Sequence, residues 1–143
     1  MDLKLDAEAL TAFLERHFTQ VADQFEIVSV APMELDLRLN VTEQHLRPGG
    51  TVSGPAMFAL ADVAVYLSIL SMIGPVGLAV TTNCSIDFMR KPAAGQDLIA
   101  SVRLLKLGRA LAVGDVLIRS VGVEDPVARA SLTYSLPPAR PSA

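Results

Sequence analysis

The sequence predicts an α+β domain in which an antiparallel β-sheet wraps around one long central helix. Three observations carry this expectation. The stretch from about 55 to 73 is apolar nearly all round, so a helix there must be surrounded by protein on most sides. Residues on both sides of it alternate apolar and polar with period two, the pattern of half-buried strands. The last four apolar runs are separated by the turn-forming segments KPAAGQ, LGR and GVEDP, a spacing that suits an antiparallel meander. A sheet closed over that helix is the simplest two-layer arrangement that covers it.

Asp6 is placed to cap a first helix, and Leu10, Phe13, Leu14, His17, Phe18 and Val21 recur on one face, so the helix is predicted over 7–22. From Phe25 the period becomes two, with Met33, Leu35, Leu37, Leu39 and Val41 on one side and Glu34, Asp36, Arg38 and Asn40 on the other. Strands are expected near 25–30 and 33–41. The segment HLRPGGTVSGP, 45–55, concentrates Gly and Pro, supports neither periodicity and reads as a shaped loop. The central helix, about 55–73, opens on Pro55, whose missing N–H costs nothing in a first turn, with Ser53 and Gly54 as candidate caps. Four further strands are expected near 78–90, 97–107, 110–121 and 126–136. The Pro-rich tail 137–143 is expected to fray. With no internal repeat and no linker, residues 1–143 read as a single domain.

Composition narrows the function. Residues are 51% hydrophobic and only 19% charged, and Trp is absent. This leaves more apolar surface than a small monomer hides, and a subunit interface is its expected destination. A net charge of −3 with no Lys/Arg block argues against nucleic acid as a partner. The lone Cys84 has no disulfide partner, and the start MDLKLDAEAL lacks the basic and apolar regions of a signal peptide, so a cytoplasmic address is expected. No Asp, Glu, Lys or Arg occurs between Val63 and Ile86, which raises a membrane span as a rival. The run from Val63 to Ile73 is bounded by Asp62 and by Gly74-Pro75, short of the ~20 residues a span needs. A buried core helix, with no membrane association, is the reading.

Asp62 sits within that apolar helix, flanked at helical distance by Phe58 and Tyr66. An unpaired buried carboxylate costs several kcal/mol, on the order of its desolvation, or else takes up a proton. Two explanations stand: a structural carboxylate paired with an Arg or capping a neighbouring helix, or a general base. At Ser53-Gly54-Pro55 the helix start is either a cap alone or also a donor site for the oxygen of a polarised carbonyl. A serine nucleophile is set aside because VSGP lacks the G-x-S-x-G elbow. His17 is expected on a helix face, His45 at the surface, and Cys84 as a small buried apolar residue. No ligand spacing suggests a metal. Thr81, Thr82 and Asn83 interrupt an apolar strand, either facing solvent or orienting a water near the helix. Arg90, Lys91, Lys106 and Arg109 are either solvated turn charges or phosphate contacts.

The runs R-P-G-G-T-V-S-G-P-A-M-F-A-L-A-D at 47–62, A-V-T-T-N-C-S-I-D-F-M-R-K-P at 79–92, G-Q-D-L at 95–98 and L-G-R at 107–109 resemble the PaaI-like (phenylacetate-type) acyl-CoA thioesterases of the hotdog fold. The family pattern N-P-x-G-T-x-H-G-G, followed by L-A-D, places its Asp nine positions after its His, as Asp62 lies nine after Ser53. Ser53 thus stands where the family has His, and Arg47 where it has the Asn that holds the attacking water. The resemblance implies hydrolysis of an acyl-CoA, or of an acyl carrier protein thioester, with Asp62 as base or nucleophile, Gly54 N–H on the thioester carbonyl, and Thr81 positioning water.

It also implies a site built from two protomers of a homodimer, with a homotetramer of two dimers as the larger assembly. Arg47, Ser53, Pro55, Phe58, Tyr66, Thr82, Asn83, Arg90, Lys91 and Arg109 are the expected substrate-binding residues. No metal is expected, and no cofactor apart from the coenzyme A of the substrate. Arg47 is placed either beside the water or as an ion-pair partner of Asp62. The rival from another class is a non-catalytic hotdog module that binds acyl-CoA or builds an oligomer. A hotdog hydratase or dehydratase, which pairs an acid with a His, finds no His on the helix from Ser53 to Asp62. Acyl length depends on which of Met57, Phe58, Tyr66 and Met72 project into the pocket.

Overall fold

A computed structural model describes residues 2–75 and 79–137. The expected strand start at Leu78 and the tail beyond Pro137 lie outside the described residues. The elements in order are α1 (Ala7–His17), β1 (Phe25–Ala31), β2 (Glu34–Leu39), α2 (Gly54–Ile73), β3 (Val80–Phe88), β4 (Leu98–Leu107), β5 (Leu111–Ser120) and β6 (Ala128–Ser135). The six strands form one antiparallel sheet in the order β1-β2-β4-β5-β6-β3, with α2 packed against β2, β4 and β5: the hotdog arrangement.

α1 begins where expected, with Asp6 Oδ1 accepting the Ala9 N–H at 2.9 Å. It ends at His17 rather than near 22. Phe18 leaves the helical conformation (φ −130°, ψ 48°) while its N–H still closes on the Leu14 carbonyl. Its ring then meets Tyr66 edge-on, with centroids 5.7 Å apart, and a 3-10 turn at Ala22–Gln24 leads into β1. The tertiary aromatic contact outweighs the helical periodicity that runs on to Val21.

Period-two alternation decides which strand faces bury. Leu35, Leu37 and Leu39 are at most 1% exposed, and Ala112, Gly114, Val116 and Ile118 form the matching row on β5. Gly114 lets α2 come close, since a Cβ there would lie 3.2 Å from both γ-carbons of Val65. α2 is apolar and long enough to cross a membrane, yet 67% of its most apolar 18-residue window is buried within the fold.

The expected meander holds for β4-β5-β6 only. β3 does not pair with β4; it lies at the far edge, antiparallel to β6. The chain after β3 makes no hairpin: the Met89 and Arg90 N–H groups both bond the Val127 carbonyl, which keeps it beside β6. The β4 start is anchored instead to β2, because Asp97 accepts from Arg38 Nε and Nη2 through Oδ2 (2.9 and 2.7 Å) and from the Val41 N–H through Oδ1 (2.8 Å). Burial works against this charge, but the Val41 bond and the Arg38 guanidinium outweigh it and hold the carboxyl below its usual range.

Candidate active site at the two ends of a helix segment

The loop before α2 is held by backbone bonds of its own: Leu46 bridges Val52, and the Arg47 N–H donates to the Thr51 carbonyl at 2.9 Å. The turn between them needs φ of 105° at Gly49 and 84° at Gly50, values open to glycine. His45, expected at the surface, is 7% exposed and pins this loop. Its Nδ1 accepts the Thr42 N–H (2.9 Å), which leaves Nε2 as the donor to Gln24 Oε1 (3.0 Å), and its carbonyl accepts the Ser53 N–H (2.8 Å).

Burial lowers the His45 pKa. The unfolded chain therefore takes up this proton first, near its ordinary value of 6.5. The stability His45 contributes is complete above that pH and is lost as pH falls below it. The thermal midpoint is expected to drop more between pH 7.5 and 5.5 in the native protein than in His45→Gln. Identical pH dependence in the two proteins contradicts this.

At the start of α2, Ser53 Oγ accepts the Ala56 N–H (3.2 Å), the Ser53 carbonyl accepts the Met57 N–H (3.1 Å), and Pro55 has no N–H. The Gly54 N–H is left without an acceptor among the described residues, and it lies at the positive end of a 20-residue helix. A Cβ at Gly54 would sit 3.2 Å from Phe88 Cζ, so glycine admits that ring against the helix start.

Two turns further on, Asp62 is half-buried. Its Oδ1 accepts two hydroxyls at 2.6 Å, from Thr81 on β3 and from Tyr134 on β6. The register explains the convergence. Thr81 and Tyr134 are cross-strand partners, and a bulge between Thr81 and Asn83 shifts the parity of β3 so that Thr81 and Cys84 turn toward the helix together. Arg47 is exposed and makes no ion pair with Asp62 among the described residues; the carboxylate is held by hydroxyls. Asp62 Oδ2 carries no bond among the described residues.

Tyr134 was not singled out by sequence. The signal available was its inward place in the β6 row Ala128, Ala130, Leu132, Tyr134, since a buried tyrosine hydroxyl needs a partner.

Tyr66 is 7% exposed and stacks on Tyr134 (6.1 Å between centroids), so it packs behind Asp62. Phe58, 40% exposed, stands one turn from Gly54, and Pro55 is exposed beside it. Thr82 and Asn83 are exposed, with Thr82 Oγ1 donating to the Thr133 carbonyl (3.3 Å). Arg90 and Lys91 follow β3 and are exposed; Arg90 Nη1 donates to the Pro126 carbonyl (2.8 Å). Arg109 is exposed in the β4–β5 turn. Cys84 is half-buried rather than fully buried, because β3 is an edge strand.

A family model described as the thioesterase superfamily matches residues 49–126, which include Gly54, Asp62 and Thr81. The crystal structure of a candidate thioesterase from Silicibacter sp. TM1040 is 59% identical, with a TM-score of 0.91 over 96% of each chain. Acyl-coenzyme A thioesterase 13 of Homo sapiens is 29% identical over 102 residues, 71% of this chain and 71% of its own. A variant of the phenylacetic acid degradation protein PaaI from Thermus thermophilus is 28% identical, with a TM-score of 0.70 over 82% of this chain and 98% of its own.

Proposed function

Because this chain belongs to the thioesterase superfamily and is a thioester hydrolase, we propose that it cleaves acyl-coenzyme A in a site shared by two protomers, with Asp62 as general base. The observation that carries the reading is the pairing of an unengaged Asp62 oxygen with an unengaged Gly54 N–H on one helix. Those two residues are eight apart, about 12 Å along a helix axis at about 1.5 Å per residue. A carbonyl carbon and its own oxygen span little more than 1 Å, so a base and an oxyanion donor serving one thioester must approach far closer than that. A second copy supplies the missing half: Gly54 of one protomer faces Asp62 of the other.

The exposed apolar side chains support such an interface. Phe88 touches the helix start, Phe58 follows one turn on, Val80 precedes Thr81, and Met89 continues the edge; they are 40% to 55% exposed. Leu105 and Leu117, on the outer face of the sheet, offer a further contact for a tetramer of two dimers.

Asp62 Oδ2 takes a proton from water as the water oxygen bonds to the thioester carbon, and the Gly54 N–H stabilises the resulting oxyanion. The C–S bond breaks as the carbonyl re-forms, and the proton passes from Asp62 to the departing thiolate. The products are a free acid and coenzyme A. Exposed Arg90, Lys91 and Arg109 are the proposed contacts for coenzyme A phosphates.

The test is free-thiol release from short, medium and aromatic acyl-coenzyme A esters by the purified protein. Release above the uncatalysed rate is expected for at least one class. Thermal stabilisation by the esters with no thiol released contradicts the hydrolase and favours a binding module.

A further inference from the structure

We infer that Tyr134 is a positioning residue for the reaction: it commits one oxygen of Asp62 to the fold and leaves the other facing water. The inference rests on the reading of Asp62 as general base. A carboxylate oxygen offers two lone-pair positions, and Oδ1 has both engaged, one by the Thr81 hydroxyl and one by the Tyr134 hydroxyl, each at 2.6 Å. With Oδ1 saturated, a proton can be accepted only at Oδ2. The carboxylate cannot rotate to exchange its oxygens without breaking both bonds.

Tyr134 is suited to hold this arrangement because it is buried, bonded and stacked at once. It is 3% exposed, and its hydroxyl also lies 3.0 Å from the Asp62 main-chain carbonyl, which ties it to the helix as well as to the side chain. Its ring stacks on Tyr66, and Tyr66 is met edge-on by Phe18 and at a tilt by Phe13, so an aromatic row from α1 through α2 backs the contact. Burial, and then the bond to Asp62, push the Tyr134 phenol far above its usual range, so it remains a donor at every working pH. The other titratable groups close by are the Cys84 thiol on β3 and the Tyr66 phenol on α2, both pushed up chiefly by burial. Neither titrates on the acid side.

Tyr134→Phe removes only the hydroxyl. In the folded variant the plateau kcat is expected to fall about ten- to hundredfold with KM little changed, since orientation and not binding is lost. Thr81→Val is expected to lower the plateau kcat in the same way and Thr81→Ser to restore it, which gives a second reading should Tyr134→Phe fold poorly. An unchanged plateau kcat in both Tyr134→Phe and Thr81→Val overturns the inference. Asp62→Asn run alongside separates the two claims: if it is inactive while those variants match the native enzyme, only the positioning role falls; if it is active, the general-base reading falls.

Discussion

Asp62→Asn is expected to lower kcat by about two to four powers of ten while leaving KM and the thermal midpoint close to native values. The substitution is isosteric. Asn Oδ1 still accepts from Thr81 and Tyr134, so the contacts that fix the helix to β3 and β6 survive. What changes is the second position, where an oxygen able to take a proton becomes an amide NH2 that can only donate. Thiol release gives the rates, and circular dichroism with a thermal melt shows that the fold is kept. Native turnover in a folded Asp62→Asn protein contradicts the assignment.

Gly54→Pro is expected to lower kcat by about two to three powers of ten, the usual worth of one oxyanion donor. Proline deletes the N–H yet suits this position: Gly54 is the first helical residue, and Ser53 before it is extended (φ −74°, ψ 156°), the conformation proline requires of its predecessor. Gly54→Ala is the control, since it keeps the N–H and adds a Cβ whose nearest neighbours are carbons at the tip of the flexible Phe88 side chain, 3.2 to 3.7 Å away. The alanine variant should retain most activity. If proline and alanine reduce kcat equally, the effect is steric and the N–H has no catalytic role.

Much of the fold was legible because local chemistry and tertiary burial agree. Leu35, Leu37 and Leu39 alternate in sequence and are buried in the structure, and the all-round apolar character of 55–73 matches a helix enclosed by sheet. Expectation and structure part where a distant contact decides. Phe18 continues the helical period of α1 but leaves the helix to meet Tyr66. β3 looks like the first strand of a meander, yet nothing in its own residues says that it pairs with β6 across the sheet.

The site shows the same division. Asp62 is conspicuous in sequence because an acid in an apolar helix needs an explanation. Which groups explain it is decided by Thr81, 19 residues away, and Tyr134, 72 residues away, brought together by a bulge that alternation alone does not reveal. His45 carried no signal of burial, because its partners Thr42 and Gln24 are arranged by a loop.

Whether Gly54 and Asp62 serve one thioester from opposite protomers is decided by mixing the Asp62→Asn and Gly54→Pro chains under conditions that exchange subunits. Each mixed dimer then carries one site with both substitutions and one with neither. Random pairing of equal amounts is expected to restore about a quarter of native thiol release, since half of the dimers are mixed and each has one intact site of two. Activity that stays at the sum of the two parents, in mixtures shown to contain the mixed dimer, contradicts the claim.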